Sequence, residues 1–293
     1  MPELPEVETI RKGLEKGLLS QRISKVEVLW DKSLHVPRQI IDTHIVGAHV
    51  EHLDRRAKVL IIDLDNSHSL MIHLKMTGQM VFEQTGGERF SGGHPTKSMT
   101  EQLPDKSTKV IFEFDSGDKL YFNDIRKFGW IKLVPTNELE DDKLIARLGP
   151  EPMSDKFTLE DFRSRLMRHK NSAIKPTILD QSTVSGIGNI YADESLHLAR
   201  IHPLRLSGSL TLPEIKRLHQ AIKDIIKLAL EHGGTSFSAY VNALGDKGDY
   251  LSHARVFRRE GLVCPVCSTV IQKIRVAGRG THFCPKCQKA PKR

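Results

Sequence analysis

Four cysteines close to the C-terminus have the spacing of a metal site. They are all the cysteines of the chain, and they follow the pattern C-x2-C-x16-C-x2-C: Cys264, Cys267, Cys284 and Cys287. Two thiolate pairs at this spacing can complete the tetrahedral coordination of Zn²⁺. We therefore predict one structural Zn²⁺ ion, because four thiolates leave no coordination position for water or a substrate.

The N-terminus offers chemistry of a different kind. A small residue after Met1 favours removal of Met1, and Pro2 would then expose a secondary amine with a pKa near enough to neutrality to leave a useful fraction unprotonated. Attack of this amine on C1′ of a sugar gives an iminium ion, which acidifies the C2′ hydrogens and allows elimination of the 3′ phosphate. Glu3 is a candidate proton donor, and Lys58 is a candidate cation in the same cleft. There is also an ordinary explanation for each. Pro2-Glu3 can be the start of a helix, and Lys58 can be the solvated end of a strand.

The charge distribution indicates a polyanionic partner. The chain has 293 residues and a formal net charge of +8. Residues 251–293 contain 10 Lys and Arg but 1 acidic residue, whereas residues 1–150 sum to −2 and residues 151–250 to +1. Such a basic segment is typical of proteins that bind phosphates by releasing counterions. A solubilising tail and a zinc ribbon that binds protein are the alternatives.

Composition excludes several other classes. With 39% hydrophobic and 27% charged residues, the chain is predicted to be globular and able to bury a sizeable core. It has no apolar run of the roughly 18 to 20 residues that span a membrane, and its N-terminus does not resemble a signal peptide. We expect a cytoplasmic monomer that does not bind membranes.

The hydrophobic pattern predicts a helix followed by a β-rich segment. Leu4, Val7, Ile10 and Leu14 recur at helical spacing. The period then changes to two, which predicts a β-sandwich or flattened barrel. The predicted strands are Lys25–Trp30, Val46–Leu53, Val59–Leu64, Leu70–Leu74, Gln79–Glu83, Lys109–Phe114, Lys119–Asn123 and Gly129–Val134.

The remaining segments are predicted from their composition. The Gly-rich stretch Thr85–Lys106 is interpreted as a mobile surface loop, and a boundary is placed near Gly149–Pro152. Helices with N-terminal capping patterns are expected after Thr158 and Thr211. A basic strand over Ala254–Arg259 is then expected to precede the cysteines. The basic residues between the cysteine pairs are assigned to a β-hairpin suited to contacting phosphates: Lys273, Arg275, Arg279 and His282.

Several longer motifs occur in order along most of the chain. They are Pro2-Glu-Leu-Pro-Glu-Val-Glu-Thr-Ile10, Arg55-Arg-Ala-Lys58, His73-Leu-Lys-Met76-Thr-Gly78, Asp124-Ile-Arg126-Lys-Phe128-Gly129, Leu148-Gly-Pro-Glu-Pro152, Gly186-Ile-Gly-Asn189-Ile-Tyr-Ala192 and Gly278-Arg279-Gly-Thr281. With the cysteine module, this set resembles the bacterial formamidopyrimidine-DNA glycosylases, which excise oxidised purines such as 8-oxoguanine. The agreement of independent motifs in register makes the resemblance specific.

The resemblance implies an α+β multidomain fold. Residues 1–135 would form a helix and a catalytic β-sandwich, and residues 251–293 a β-hairpin zinc finger. Residues 136–250 would form a helical helix-two-turns-helix domain that includes a lesion-capping loop, Thr235–Asp249. The implied partner is damaged double-stranded DNA, and the implied cofactor is one structural Zn²⁺ ion.

The resemblance also assigns roles to residues in the reaction. Pro2 would form the Schiff base and Glu3 would donate the proton for glycosidic cleavage. Lys58 would assist the first elimination, and Arg279 would assist the second while it holds a phosphate.

Further residues would contact the DNA. Met76, Arg126 and Phe128 would enter the helix where the damaged base has left, and Lys170 and Asn189 would contact phosphates. Ser107 stands where a DNA-contacting His is common in the family. A hydroxyl group there can donate to a phosphate but brings no charge.

The sequence has two alternative functions. An endonuclease VIII-like enzyme would prefer oxidised pyrimidines. The amino-acid sequence of Pro2–Ile10 and the capping loop favour the purine-specific branch. A non-catalytic, zinc-containing lesion-binding protein would have no need of an amine nucleophile, so the presence of Pro2, Glu3 and Lys58 argues against it.

Overall fold

The computed structural model describes residues 1–235 and 248–290, which form two compact units. The first unit comprises Met1–Ala146 and Gly233–Asp249, and the second comprises Arg147–His232 and Tyr250–Arg293. Within the described residues, no helix combines the length and the apolar character needed to cross a lipid bilayer. Most of the predicted capping loop, residues 236–247, lies outside the described residues.

The first unit is a two-sheet β-sandwich with a long N-terminal helix. Its described helices are α1 (Leu4–Leu18) and α2 (Arg38–His44). Its strands are β1 (Ile23–Val28), β2 (Val50–Arg56), β3 (Val59–Leu64), β4 (His68–His73), β5 (Gly78–Glu83), β6 (Arg89–Gly93), β7 (Thr108–Phe114), β8 (Lys119–Asp124) and β9 (Trp130–Pro135). One sheet has the order β1-β7-β8-β5-β6 and the other β2-β3-β4-β9. The α1 prediction is confirmed and each of the eight predicted strands is present, although β2 begins four residues later and ends three residues later than predicted.

A large hydrophobic core fills the space between the two sheets. Alternate residues of each strand point inward, and the core joins α1 to both sheets. Burial of one large aliphatic or aromatic side chain contributes about 1.5–3 kcal/mol, so this core is the main source of the unit's stability. Representative members are Ile10, Leu14, Leu53, Ile62, Phe82 and Phe112.

The interpretation of Thr85–Lys106 as a mobile surface loop is wrong. The segment contains β6, which pairs with β5 along its whole length. Phe90 is 4% exposed, and its ring fills the space that a side chain at Gly13 would need. Gly93 has φ +125°, and its backbone approaches Gly78 so closely that a Cβ would collide with the carbonyl oxygen. Gly93 therefore serves close packing at a sheet edge, whereas Gly86 and Gly87 lie in the turn between β5 and β6 with open space around them.

The second unit is helical and ends in a β-hairpin. Its helices are α3 (Leu159–Arg168), α4 (Ile174–Leu179), α5 (Asn189–Leu198), α6 (Leu212–Glu231) and α7 (Tyr250–His253). The hairpin strands are β10 (Gln272–Val276) and β11 (Arg279–Phe283). Thr158 and Thr211 cap α3 and α6 as predicted.

The predicted strand over Ala254–Arg259 is wrong. The backbone N–H groups of Arg255, Val256 and Phe257 all donate to the carboxylate of Glu194, at 2.9, 2.9 and 2.7 Å. Glu194 lies on α5 and is fully buried. Three consecutive backbone N–H groups that donate to one side chain cannot also donate to a neighbouring strand. This segment therefore wraps around the Glu194 carboxylate.

Candidate functional site

The predicted nucleophile and proton donor lie at the buried start of α1. Pro2 is buried and Glu3 is 3% exposed. The backbone N–H of Glu3 donates to Glu6 Oε2 at 2.8 Å. Glu6 Oε1 accepts hydrogen bonds from the backbone N–H and hydroxyl of Thr235, at 2.7 and 3.0 Å. One carboxylate therefore fixes both the helix start and Thr235, the first residue of the predicted capping loop.

The first unit also brings Lys58 to this end of α1. The helix runs antiparallel to β2, because Arg55 pairs with Glu8 at 3.1 Å while Arg11 donates to the Leu53 carbonyl at 3.2 Å. Continuing along β2 leads to the turn at Ala57, which has φ +53°, and then to Lys58. Lys58 is 6% exposed. The alternative interpretation of Lys58 as a solvated strand end is therefore wrong.

His73 is a neighbour of Lys58 that the sequence interpretation did not single out. It is the register partner of Val59, directly after Lys58. Burial, and secondarily the charges of Lys75 and Lys58, lower the pKa of His73 to about 3. Its Nδ1 accepts the backbone N–H of Lys75 at 3.0 Å, so the ring proton resides on Nε2. The sequence feature that could have indicated His73 is its position as the first residue of the His-Leu-Lys-Met motif.

Met76, Arg126 and Phe128 are presented on the surface of the first unit. Met76 is 44% exposed and Phe128 56%, and the Arg126 guanidinium lies 4.9 Å from the centre of the Phe128 ring. Asp124, which is fully buried, accepts hydrogen bonds from the hydroxyl of Thr77 and from the backbone of Arg126 and Phe128. This carboxylate holds both segments in place. Met76 and Phe128 therefore lie outside the hydrophobic core of the first unit.

Ser107 has internal hydrogen-bond partners. It is 5% exposed, and its hydroxyl donates to Asp105 Oδ1 at 2.6 Å and lies 3.0 Å from the hydroxyl of Ser98. The neighbouring Lys109 is also buried, and its ammonium donates to the Lys106 carbonyl at 2.7 Å. The structure thus gives Ser107 a role in the β6–β7 connection, and its contact with phosphate stays a prediction.

In the second unit, Asn189 and the hairpin turn share partners. Asn189 begins α5, and its amide donates to the Gly280 carbonyl at 3.0 Å. Lys175, on α4, donates to the same carbonyl at 3.0 Å and to the Thr281 hydroxyl at 2.8 Å. The turn that carries Arg279 is thereby held against two helices.

The basic residues of the second unit divide into exposed and buried groups. Lys170 and Arg279 are exposed, as a phosphate contact requires. His282 differs from the prediction, because it is 5% exposed and its backbone N–H donates to buried Asp193 at 2.9 Å. His282 therefore stabilises the hairpin and lies outside its exposed basic surface.

The four cysteine sulfurs fit a tetrahedral zinc site. They lie within 4.8 Å of one another. The Cys264–Cys287 and Cys267–Cys284 sulfur distances are 4.0 and 3.4 Å, against the roughly 3.8 Å expected for a ZnS₄ tetrahedron with bonds of about 2.3 Å. Hydrogen bonds from Thr269 lower the pKa of Cys267 to about 6, whereas burial raises the pKa of Cys284 and of Cys287.

Three family models match the chain in sequence order. The formamidopyrimidine-DNA glycosylase N-terminal domain matches residues 1–131, and the H2TH domain of the same enzymes matches residues 148–241. The zinc finger found in FPG and IleRS matches residues 261–290. The chain belongs to the formamidopyrimidine-DNA glycosylase family. The predicted family, fold class and structural zinc ion are confirmed.

Individual members of this family match along their full length. The formamidopyrimidine-DNA glycosylase of Herpetosiphon aurantiacus is 42% identical over 98% of this chain and 100% of its own. A Lactococcus lactis FPG mutant in complex with Fapy-dG-containing DNA is 34% identical, with a TM-score of 0.87 over 99% of this chain and 100% of its own. A MutM structure in complex with carbocyclic 8-oxo-G-containing DNA has a TM-score of 0.86 at 33% identity, over 99% of this chain and 100% of its own.

Proposed function

We propose that this chain removes oxidised purines from duplex DNA and then nicks the strand. The observation that carries this function is the buried Pro2-Glu3 start of α1, anchored by Glu6, in a chain that belongs to the formamidopyrimidine-DNA glycosylase family. The enzyme is bifunctional, a DNA glycosylase and an AP lyase.

The chemistry begins at the N-terminal amine. After removal of Met1, the Pro2 nitrogen attacks C1′, the bond to the damaged base breaks, and the departing base takes up a proton from water. Glu3 protonates the sugar ring oxygen, so the ring opens and an iminium ion remains. The buried Glu3 carboxylate accepts the backbone N–H of Glu6 in the capping box of α1, which holds it next to the nucleophile in the chain. Lys58 assists elimination of the 3′ phosphate, and Arg279 assists the second elimination while it binds a phosphate.

The exposed Met76, Arg126 and Phe128 compensate for base flipping. Extrusion of a base costs a few kcal/mol, and a thioether and an aromatic ring restore part of the lost stacking. Arg126 offers hydrogen bonds to the unpaired cytosine. Lys170 and Asn189 hold the backbone, and Ser107 contacts a phosphate only if its hydrogen bond to Asp105 is exchanged.

The zinc ion has a structural role in this scheme. Cys264, Cys267, Cys284 and Cys287 would hold it and thereby order the hairpin that presents Arg279. We further propose that the enzyme acts as a monomer on damaged double-stranded DNA, in the cytoplasm and at the nucleoid when it is bound. The three-segment division at residues 135 and 250 also stays a proposal.

An excision assay tests this function. The substrate is a duplex with one 8-oxoguanine opposite cytosine, and the expected products are the free base and a one-nucleotide gap with phosphate at both ends. Glu3→Gln should abolish base release, while Glu27→Gln, which changes a carboxylate on β1, should leave it unchanged. Release of thymine glycol in clear preference to 8-oxoguanine would move the enzyme to the pyrimidine-specific branch. Tight binding without base release would make the chain a lesion-binding protein.

A further inference from the structure

Strand β6 places a histidine at the sheet edge nearest the proposed chemistry. Gly93, the last residue of β6, pairs with Gln79, so His94 lies opposite Gly78. The backbone N–H of His94 donates to the Gly78 carbonyl at 3.1 Å. On the other side of β5, Gly78 pairs with Asp124. His94, Gly78 and Asp124 therefore form one row across three strands, two residues beyond Met76.

The same edge leads back to Lys58 and the start of α1. Gly78 donates its N–H to the Leu74 carbonyl at 2.8 Å, and Leu74 follows His73, the neighbour of Lys58. These backbone hydrogen bonds and strand pairings link His94 to the C-terminal end of β2. The N-terminus of α1 points toward the same end of β2.

Packing of α1 on β6 leads to the same location. A Cβ on Gly13 would lie 1.9 Å from the ring of Phe90, so the helix backbone rests directly on β6. From Gly13 back to Leu4, the first residue of α1, the helix rise covers about 14 Å, and Pro2 lies two residues further along the chain. From Phe90 forward to His94 the strand covers about 13 Å. Both segments run from this contact toward the β4–β5 connection.

The electrostatics of His94 agree with this placement. Burial lowers the pKa of His94, and the positive charge of the N-terminal amine lowers it further, while Asp124 opposes the shift. The amine belongs to Met1 in this structure and to Pro2 once Met1 is removed. In the described parts of the chain, neither ring nitrogen of His94 has a hydrogen-bond partner. A neutral imidazole with an available nitrogen thus lies within the field of the amine.

We propose that His94 is the general base that accepts the proton lost by the Pro2 nitrogen during iminium formation. This inference rests on the function proposed above. Attack on C1′ leaves the Pro2 nitrogen with four bonds, a positive charge and one hydrogen. Transfer of that proton to His94 frees the lone pair. The lone pair then forms the C1′=N bond as the C1′–O4′ bond breaks and O4′ takes the proton of Glu3.

The test compares rates of covalent adduct formation in His94 variants. Single-turnover borohydride trapping is measured on a duplex that already contains an abasic site, with the unchanged enzyme, His94→Ala, His94→Gln and the exposed control His52→Ala. Affinity for a tetrahydrofuran abasic analogue is measured in parallel. Because the β5–β6 hydrogen bond uses the backbone of His94, these substitutions leave the strand pairing intact.

General base catalysis contributes about 10²- to 10⁴-fold, so both His94 variants should trap at least tenfold more slowly while DNA affinity stays within twofold. Added imidazole should restore the rate of His94→Ala in proportion to its concentration, and His52→Ala should behave like the unchanged enzyme. A rate within twofold of the unchanged enzyme, or a slow variant that imidazole does not rescue, overturns the role of His94. Absence of any adduct with the unchanged, correctly processed enzyme overturns the proposed function itself.

Discussion

Replacement of Lys175 by Met should strongly destabilise the second unit. The Lys175 ammonium lies 2.6 Å from Asp193 Oδ1, and both side chains are 0% exposed. Removal of one member of a buried ion pair leaves the other charge without compensation, which costs about 3–5 kcal/mol. Lys175→Met also removes the donor to the Gly280 carbonyl and the Thr281 hydroxyl. We therefore expect the free energy of unfolding of the second unit to fall by about 3–5 kcal/mol.

The two tryptophans allow the destabilisation to be located. Trp30 and Trp130 both belong to the first unit, so their fluorescence follows that unit while far-UV circular dichroism follows both. In urea unfolding of the zinc-loaded chain, Lys175→Met should shift the dichroism transition and largely spare the fluorescence transition. The matched control Lys273→Met breaks an exposed pair with Glu260 and should leave both transitions unchanged.

A double variant separates the ion pair from simple loss of packing. Lys175→Met combined with Asp193→Leu removes both charges, and replacing a buried pair by apolar residues is often close to neutral. We therefore expect the double variant to be more stable than Lys175→Met alone. A cost below about 1 kcal/mol for Lys175→Met, or additive costs in the double variant, would refute the conclusion that this pair is a buried, mutually dependent unit.

Two further predictions concern the hairpin and the pH dependence of stability. Arg279→Ala should retain its zinc but bind DNA more weakly, with a salt slope smaller by about one; an unchanged slope in a titration at several salt concentrations would argue against a phosphate contact. For His73, the pKa in the folded state is about 3, below the usual value of 6.5. Between these two pH values the imidazole therefore binds a proton in the unfolded chain but not in the folded chain. Stability should therefore fall as the pH drops from about 6.5 to 3, and His73→Gln should make unfolding midpoints less dependent on pH in that window; an identical pH dependence would contradict the assignment.

The sequence predicted those elements whose residues repeat a clear pattern. Strands such as Val59–Leu64 bury nearly every side chain and were placed to the residue, and the capping patterns at Thr158 and Thr211 located two helix starts. Strand β6 was missed because Phe90 is its one large apolar residue, and Gly92 and Gly93 are typical of turns. Its packing depends on Gly13 and Gly78, which are distant in sequence.

Local sequence patterns predicted some parts of the candidate site and could not predict others. The cysteine spacing predicted a zinc site directly, because the ligands are close in sequence. Pro2, Glu3 and Lys58 could be proposed from chemistry, but the links through Glu6 and Arg55 are long-range contacts. His282 was assigned to the basic surface because its sequence neighbours are basic, whereas its real partner, Asp193, lies on another element. Long-range partners of this kind decide burial, and a single sequence does not reveal them.

The central claim is that the Pro2 nitrogen becomes covalently bound to the sugar. The most direct measurement is borohydride trapping on a duplex with 8-oxoguanine opposite cytosine, followed by mass spectrometry of the N-terminal peptide. The account predicts an adduct on Pro2 in protein that lacks Met1, and no adduct in Pro2→Gly with its DNA affinity retained. An adduct on a lysine, or none on correctly processed protein, would contradict it.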